Sequence, residues 1–301
     1  MLSVLIFIFL LLLLLGGALA LPFARRGIAK ELDKRACCYQ NADHPNPIEL
    51  KSDQAEVRIL VLGDTGSGDE FQKKVALASA RTCQEQGCDL IFLLGDNFIM
   101  DGVTGIEDPQ FQSKFEEVYS QQLPFYAVLG NHDLRGNWKA QIEYSQHSAR
   151  WRMPNVNYSI AAGPVLFQAI NTTCTLCSLW GLFKRTSKPW KVVLGHHPML
   201  TSGRHRAMTW LERLFFLIAK PQFFLAGHNH ILEHLDYHGI DQIISGGGGN
   251  PIHPIQVDPS RFSQFLFQGL GYVWMRFTAT EAYVYFYNAE GQSVYGFTRK
   301  Q

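Results

Sequence analysis

The chain is predicted to fold as an α/β layered domain, and three features of the sequence predict it. Short runs of β-branched and aliphatic residues recur from Val57 onward, each ending in Gly followed by Asp, Asn or His. Segments with helical apolar spacing and capping residues lie between them. The tail instead alternates aromatic and polar residues at period two. The 301 residues are 47% hydrophobic and 18% charged, which is enough apolar material for a sizeable core and excludes a disordered chain. With 27 Lys+Arg against 26 Asp+Glu, there is no electrostatic footing for binding nucleic acid or an acidic membrane.

Met1 to Ala24 carries no charged side chain, and Leu2 to Leu15 is almost continuously aliphatic. Residues 1–24 therefore read as a signal peptide, with Ala18-Leu19-Ala20 as the cleavage site, or as an N-terminal membrane anchor through residues 2–23. Either predicts export: secreted, periplasmic, lumenal or tethered at the membrane. Arg25 and Arg26, following the apolar run, would favour the inverted orientation. Residues 25–55 mix Lys, Asp, Pro and Asn and read as a linker, leaving 56–301 as one domain.

Within that domain the predicted buried strands are Val57–Leu62, Leu90–Leu94, Phe125–Leu129, Val192–Leu194 and Phe223–Ala226. Asp69 caps a helix that runs to Gly87, with Gln72 as capping-box partner and Phe71, Val75 and Ala78 as its apolar stripe. Asp108-Pro109 starts a second, carrying Phe111, Phe115, Val118 and Tyr119 and ending before Pro124. Trp210–Ala219 is a third. Tyr272, Trp274, Arg276 and Thr278, then Tyr283, Tyr285 and Tyr287, predict a pair of antiparallel strands; their aromatics read as a packed sheet face rather than a base-stacking platform. Six cysteines (Cys37, Cys38, Cys83, Cys88, Cys174 and Cys177) permit disulfides without fixing their pairing, and Cys174-x-x-Cys177 lacks the companions of a zinc site.

In an open α/β sheet, loops at the carboxyl ends of strands converge on one crevice. Five strand ends here deliver Asp64, Asp96, Asn131, His132, His196, His228 and His230. Oxygen and imidazole donors without cysteine suit Fe, Mn or Zn. They outnumber the needs of one metal, and two ions sharing a carboxylate would use them all, the arrangement that clamps attacking and leaving oxygens in phosphoryl transfer.

Gly63-Asp64-Thr65-Gly66, Gly95-Asp96-Asn97-Phe98, Gly130-Asn131-His132-Asp133, Val193-Leu194-Gly195-His196 and Gly227-His228-Asn229-His230 together resemble the calcineurin-like metallophosphoesterase signature. LGDNFIMDGV from Leu94, LGNHDLRGN from Leu129, AQIEYS from Ala140 and SGGGGN from Ser245 narrow the resemblance to the small purple acid phosphatases. The resemblance implies a layered β-sandwich flanked by helices, with βαβ units placing a dimetal site at strand carboxyl ends. It implies that Asp64, Asp96 and His230 hold a first metal ion and Asn131, His196 and His228 a second, with Asp96 bridging. His132 would stabilise the phosphoryl group or act as general acid, oriented by Asp133, with His205 on the substrate side. His147, His197, His234, His238 and His253 receive no role.

Two positions depart from the family. Its ferric-binding Tyr, three residues after the bridging Asp, is replaced by Ile99, which argues against an Fe(III)-tyrosinate and a purple colour. The His that other members carry two residues after the first Asp is Gly66, leaving three protein ligands at the first site. The expected activity is hydrolysis of phosphate monoesters, with water activated to hydroxide attacking phosphorus in line. The alternatives are a phosphodiesterase on the same centre, or a non-catalytic protein that binds phosphoryl ligands. The sequence is silent on oligomeric state.

Overall fold

An apolar run without polar alternation needs cover on both faces, and these runs receive it in the interior of two stacked sheets. The computed structural model describes residue 39 and residues 47–50, 53–174, 178, 182–252, 255 and 260–301. The leader, most of the linker, Cys37, Cys38, Cys177 and His253 lie outside the described residues. In chain order the strands begin with β1 (Ile48–Leu50), β2 (Val57–Leu62), β3 (Leu90–Leu93), β4 (Phe125–Ala127) and β5 (Trp151–Arg152). Then come β6 (Tyr158–Ala162), β7 (Val165–Ala169), β8 (Trp190–Leu194), β9 (Phe223–Ala226) and β10 (Leu232–Tyr237). The last are β11 (Ile240–Ser245), β12 (Ser263–Phe267), β13 (Gly271–Phe277), β14 (Glu281–Asn288) and β15 (Ser293–Lys300).

One sheet has the order β15-β14-β13-β2-β3-β4-β5, the other β1-β6-β7-β8-β9-β11-β10-β12. β2 to β5 run parallel, as do β7, β8 and β9, so their carboxyl ends fall together within each sheet. Between the sheets, Ile59, Val61, Phe92, Val273 and Phe286 meet Ile160, Phe167, Val192, Leu194 and Phe223, all fully buried or nearly so. Each such side chain contributes roughly 1.5–3 kcal/mol. The outer face of the first sheet (Leu60, Leu62, Ile91, Leu93) packs on Val75 and Ala78 of α1 (Glu70–Gln86), on Phe111 and Phe115, and on Trp138 of α2 (Trp138–Glu143). The other sheet's outer face (Val193, Phe224, Ala226) receives Phe216 of α3 (Trp210–Ala219). The result is the expected layered β-sandwich flanked by helices.

Several expectations need correction. Ile48–Leu50, inside the stretch read as linker, pairs parallel with β6. Phe71 does not join the α1 stripe: it is 49% exposed, and Val75, Ala76 and Ser79 form the buried side. Asp69 does cap α1 through Phe71 N–H and Gln72 N–H, but the Gln72 side chain reaches back to Gly68 N–H (2.8 Å) instead of Asp69. After Asp108-Pro109 comes only a short wide turn, Gln112–Glu116, which still buries Phe111, Phe115 and Tyr119. The tail forms three antiparallel strands instead of two; in β15, Gly296 and a register shift opposite Phe286/Tyr287 mask the alternation. Cys83 and Cys88 form a disulfide, and Cys174 is also disulfide-bonded.

Candidate metal centre

The loop following each of β2, β3, β4, β8 and β9 enters one crevice, and its glycines decide how tightly. A Cβ on Gly130 would lie 2.2 Å from the Asp96 backbone nitrogen and Oδ1, so only glycine lets the Asn131 loop approach the Asp96 loop. Loop-to-loop hydrogen bonds lock the approach: Asp64 N–H donates to Gly95 C=O (3.1 Å) and Gly227 N–H to His196 C=O (3.0 Å). Asp64, Asp96 and His228 have φ of 56°, 51° and 70°, the left-handed turn that swings each side chain inward.

All six expected ligands come together. His196 Nε2 lies 3.4 Å from Asp96 Oδ2, 3.2 Å from Asn131 Oδ1 and 3.2 Å from His228 Nδ1. His230 Nε2 is 3.7 Å from Asp64 Oδ1. The far nitrogens of two rings are committed to carbonyls: His196 Nδ1 to Leu94 (2.8 Å) and His230 Nδ1 to Pro251 (2.7 Å). With Nδ1 of each ring donating to a carbonyl, Nε2 is the nitrogen left to face the crevice, and it could take a cation in place of a proton.

The electrostatics describe a site short of positive charge. Burial drives the Asp64 carboxyl well above the usual carboxylate range, an effect only partly countered by His196. Burial also works against ionisation of Asp96, but His196 and His132 hold its carboxyl well below that range. Burial opposes a charge on His196, yet Asp96 and Asp64 push its pKa up to about 9. His228 is driven down by burial and by the surrounding imidazoles. Asp64 Oδ1 is buried with no hydrogen-bond partner among the described residues. A buried acceptor left without a donor and imidazole nitrogens 3.2 Å apart fit cations as their missing partner.

The residues expected to act on substrate fare differently. His132 sits at the rim, its Nδ1 held by Met100 C=O (2.5 Å) and its Nε2 3.9 Å from Asp96 Oδ2. Asp133 does not orient it. The Asp133 carboxylate is fully buried and accepts from Asn97 N–H, Phe98 N–H (3.2 Å), Gly130 N–H (2.8 Å), Asn97 Nδ2 and Gln141 Nε2 (3.1 Å). It ties the Asp96 loop to the Asn131 loop, and burial together with the Asp96 charge pushes its pKa up to about 7. His205 is drawn in by its backbone N–H to Asn229 Oδ1 (2.7 Å), with its ring centroid 4.9 Å from that of His228.

His197 and Thr172 were missed. The His197 ring centroid lies 4.3 Å from that of His228, and Thr172 Oγ1 contacts the backbone of both His196 and His197. The doubled histidine after Gly195 was the signal for the first; Thr172 has none in the sequence. Position 66 is closed to any ligand, since a Cβ there would lie 2.5 Å from the Asn97 carbonyl. Ile99 supplies only its backbone, donating N–H to Gly66 C=O and accepting from Lys114 Nζ.

Residues 57–232 match the family model for calcineurin-like phosphoesterases. Purple acid phosphatase 7 of Arabidopsis thaliana is 28% identical over 82% of this chain and 86% of its own length. Human tartrate-resistant acid phosphatase type 5 is 31% identical over 69% of this chain and 76% of its own. Among solved structures, GAP50, described as the anchor in the inner membrane complex of Plasmodium, superposes with a TM-score of 0.74 at 22% identity, covering 82% of this chain and 89% of that one. The yellow lupin purple acid phosphatase PPD1 gives 0.65 at 15% identity, covering 82% and 54%. With the strand-end loops, the buried carboxylates and the imidazoles already in place, the chain belongs to the calcineurin-like phosphoesterase family.

Proposed function

We propose that the protein is a metal-dependent hydrolase of phosphate monoesters. Asp64, Asp96 and His230 would hold one ion and Asn131, His196 and His228 the other, with Asp96 shared. Fe, Mn or Zn suits these donors. When bound, such a pair supplies an acidified water as nucleophile and neutralises charge on the phosphoryl oxygens. The observation that carries the reading is Asp64 Oδ1, buried without a hydrogen bond and facing His230 Nε2 at 3.7 Å.

The chain's own groups do the rest. His132, anchored through Nδ1 to Met100 C=O, keeps Nε2 at the rim beside Asp96, where in its protonated form it can donate to the leaving oxygen. His205, with its ring centroid 4.9 Å from that of His228 and 5.8 Å from that of His230, would be a second proton source. The Asp133 carboxylate holds the Asp96 and Asn131 loops in register. The Cys83–Cys88 disulfide favours an oxidising compartment and supports export, with residues 2–23 as leader or tether; among the described residues no helix is long and apolar enough to cross a membrane.

Metal reconstitution with Fe, Mn and Zn, assayed on an aryl monophosphate and a bis-aryl diester, tests the reading. Tenfold faster turnover of the diester would make the protein a phosphodiesterase. A second reading draws on Ile99 and the closed position 66: a three-ligand first site that stays empty, in a protein that binds phosphoryl ligands without turnover. Fewer than one tightly held metal per chain, with no stimulation by added Mn or Fe, would favour it.

A further inference from the structure

We infer that His197 presents a protonated Nε2 to the crevice as a neutral hydrogen-bond donor to an oxygen of a tetrahedral oxyanion, and is not a metal ligand. The inference rests on the phosphoester reading for the nature of that ligand, and on hydrogen-bond counting for the donor.

Proximity alone would suggest ligation. One ring nitrogen each of His196, His197 and His228 lie within 4.8 Å of one another. The count at Thr172 decides otherwise. A hydroxyl has two lone pairs and one proton. Thr172 Oγ1 accepts from His196 N–H (3.0 Å) and from His197 N–H (2.8 Å), which fills both lone pairs. Its third contact, His197 Nδ1 at 3.1 Å, must therefore be made with the hydroxyl proton. Thr172 donates and Nδ1 accepts. A neutral imidazole that accepts at Nδ1 carries its proton on Nε2.

That tautomer has no Nε2 lone pair to give a cation. It has an N–H on the ring edge away from Thr172, and no described residue accepts it. The His197 ring lies against His228 and 5.0 Å, centroid to centroid, from His196, so the donor sits beside the two imidazoles expected to hold the second ion. A phosphoryl oxygen bound beside His228 would find there a donor whose ring is already fixed by Thr172. Thr172 is then a positioning residue: it acts through His197 and through the backbone of the 195–197 turn.

Two measurements on the full chain test this. Two-bond 15N–1H correlation of histidine-labelled, metal-free protein reads the tautomer directly. The expected result is Nε2–H for His197; an Nδ1–H signature overturns the inference whatever the variants do. Inorganic phosphate is then titrated into the metal-loaded chain, with metal content measured alongside. His197→Ala should weaken phosphate affinity about tenfold and leave bound metal unchanged, and His197→Gln, which keeps an N–H donor, should recover part of the loss. Unchanged phosphate affinity, or loss of a bound metal, overturns the assignment. If phosphate binding shows this pattern but no ester is hydrolysed, the hydrolase reading falls and the donor stands; brisk hydrolysis with phosphate affinity indifferent to His197→Ala gives the reverse.

Discussion

Replacing Asp133 by Asn tests whether the crevice is held open by one buried carboxylate. Oδ2 accepts Gly130 N–H at 2.8 Å and Asn97 Nδ2 at 3.2 Å; Oδ1 accepts Phe98 N–H at 3.2 Å and Gln141 Nε2 at 3.1 Å. An amide turns one of these acceptors into a donor, which strands Phe98 N–H and Gln141 Nε2 in one orientation and Gly130 N–H in the other, where Asn97 Nδ2 keeps Val128 C=O and Gln141 Oε1. At about 1–3 kcal/mol per stranded group, partly offset by removing a costly buried charge, the net loss is roughly 1–3 kcal/mol. Because the bonds join the Asp96 loop to the Asn131 loop, metal affinity should fall about 10- to 100-fold in parallel. Equilibrium urea unfolding of the metal-free chain and metal titration of both proteins provide the readouts. A variant within about 0.5 kcal/mol of wild type, with unaltered metal affinity, would refute the assignment of Asp133 as the tie between the loops.

Further outcomes follow from the same geometry. Asp96→Asn removes the carboxylate shared by both expected sites and should lower metal affinity by at least about 100-fold, measured by calorimetry with elemental analysis. In the metal-free chain, the His196 pKa of about 9 against an unfolded value near 6.5 stabilises the fold fully below pH 6.5. That contribution, at most about 3 kcal/mol, is lost as pH rises through 9, so midpoint denaturant should drop across this window and a flat profile would contradict it. Gly66→Ala drives a Cβ to 2.5 Å from the Asn97 carbonyl and should destabilise by about 1–3 kcal/mol in thermal or urea unfolding. Iron-loaded protein should show no tyrosinate charge-transfer band in visible absorption, since Ile99 offers no phenolate; a purple preparation would mean that another tyrosine binds.

The residues of the crevice were legible because their signal is local. A buried strand followed by Gly and a donor is written contiguously: β2, β8 and β9 end where the apolar runs end, and β3 and β4 stop one and two residues short of Leu94 and Leu129. What escaped depends on distant partners. Phe71 has a helical core spacing, yet lies on the side of α1 that no layer covers. Asp133 follows His132 directly, which suggested a partnership, but its buried oxygens take donors from residues 97, 98, 130 and 141. Thr172 acts across 24 residues through a backbone approach that no side-chain pattern announces. β1 and β15 are edge strands, polar enough to resemble connecting segments.

The left-handed backbone at Asp64, Asp96 and His228 has an evolutionary corollary. Non-glycine residues in that conformation each cost about 1–3 kcal/mol, so glycine at any of the three would relax the scaffold while deleting a donor. Thermostability screens run without metal should therefore enrich such replacements, and lineages that abandon catalysis should drift the same way. Cations held by these residues would reward the folded state alone and oppose that drift, which would make loading part of what keeps the chain native.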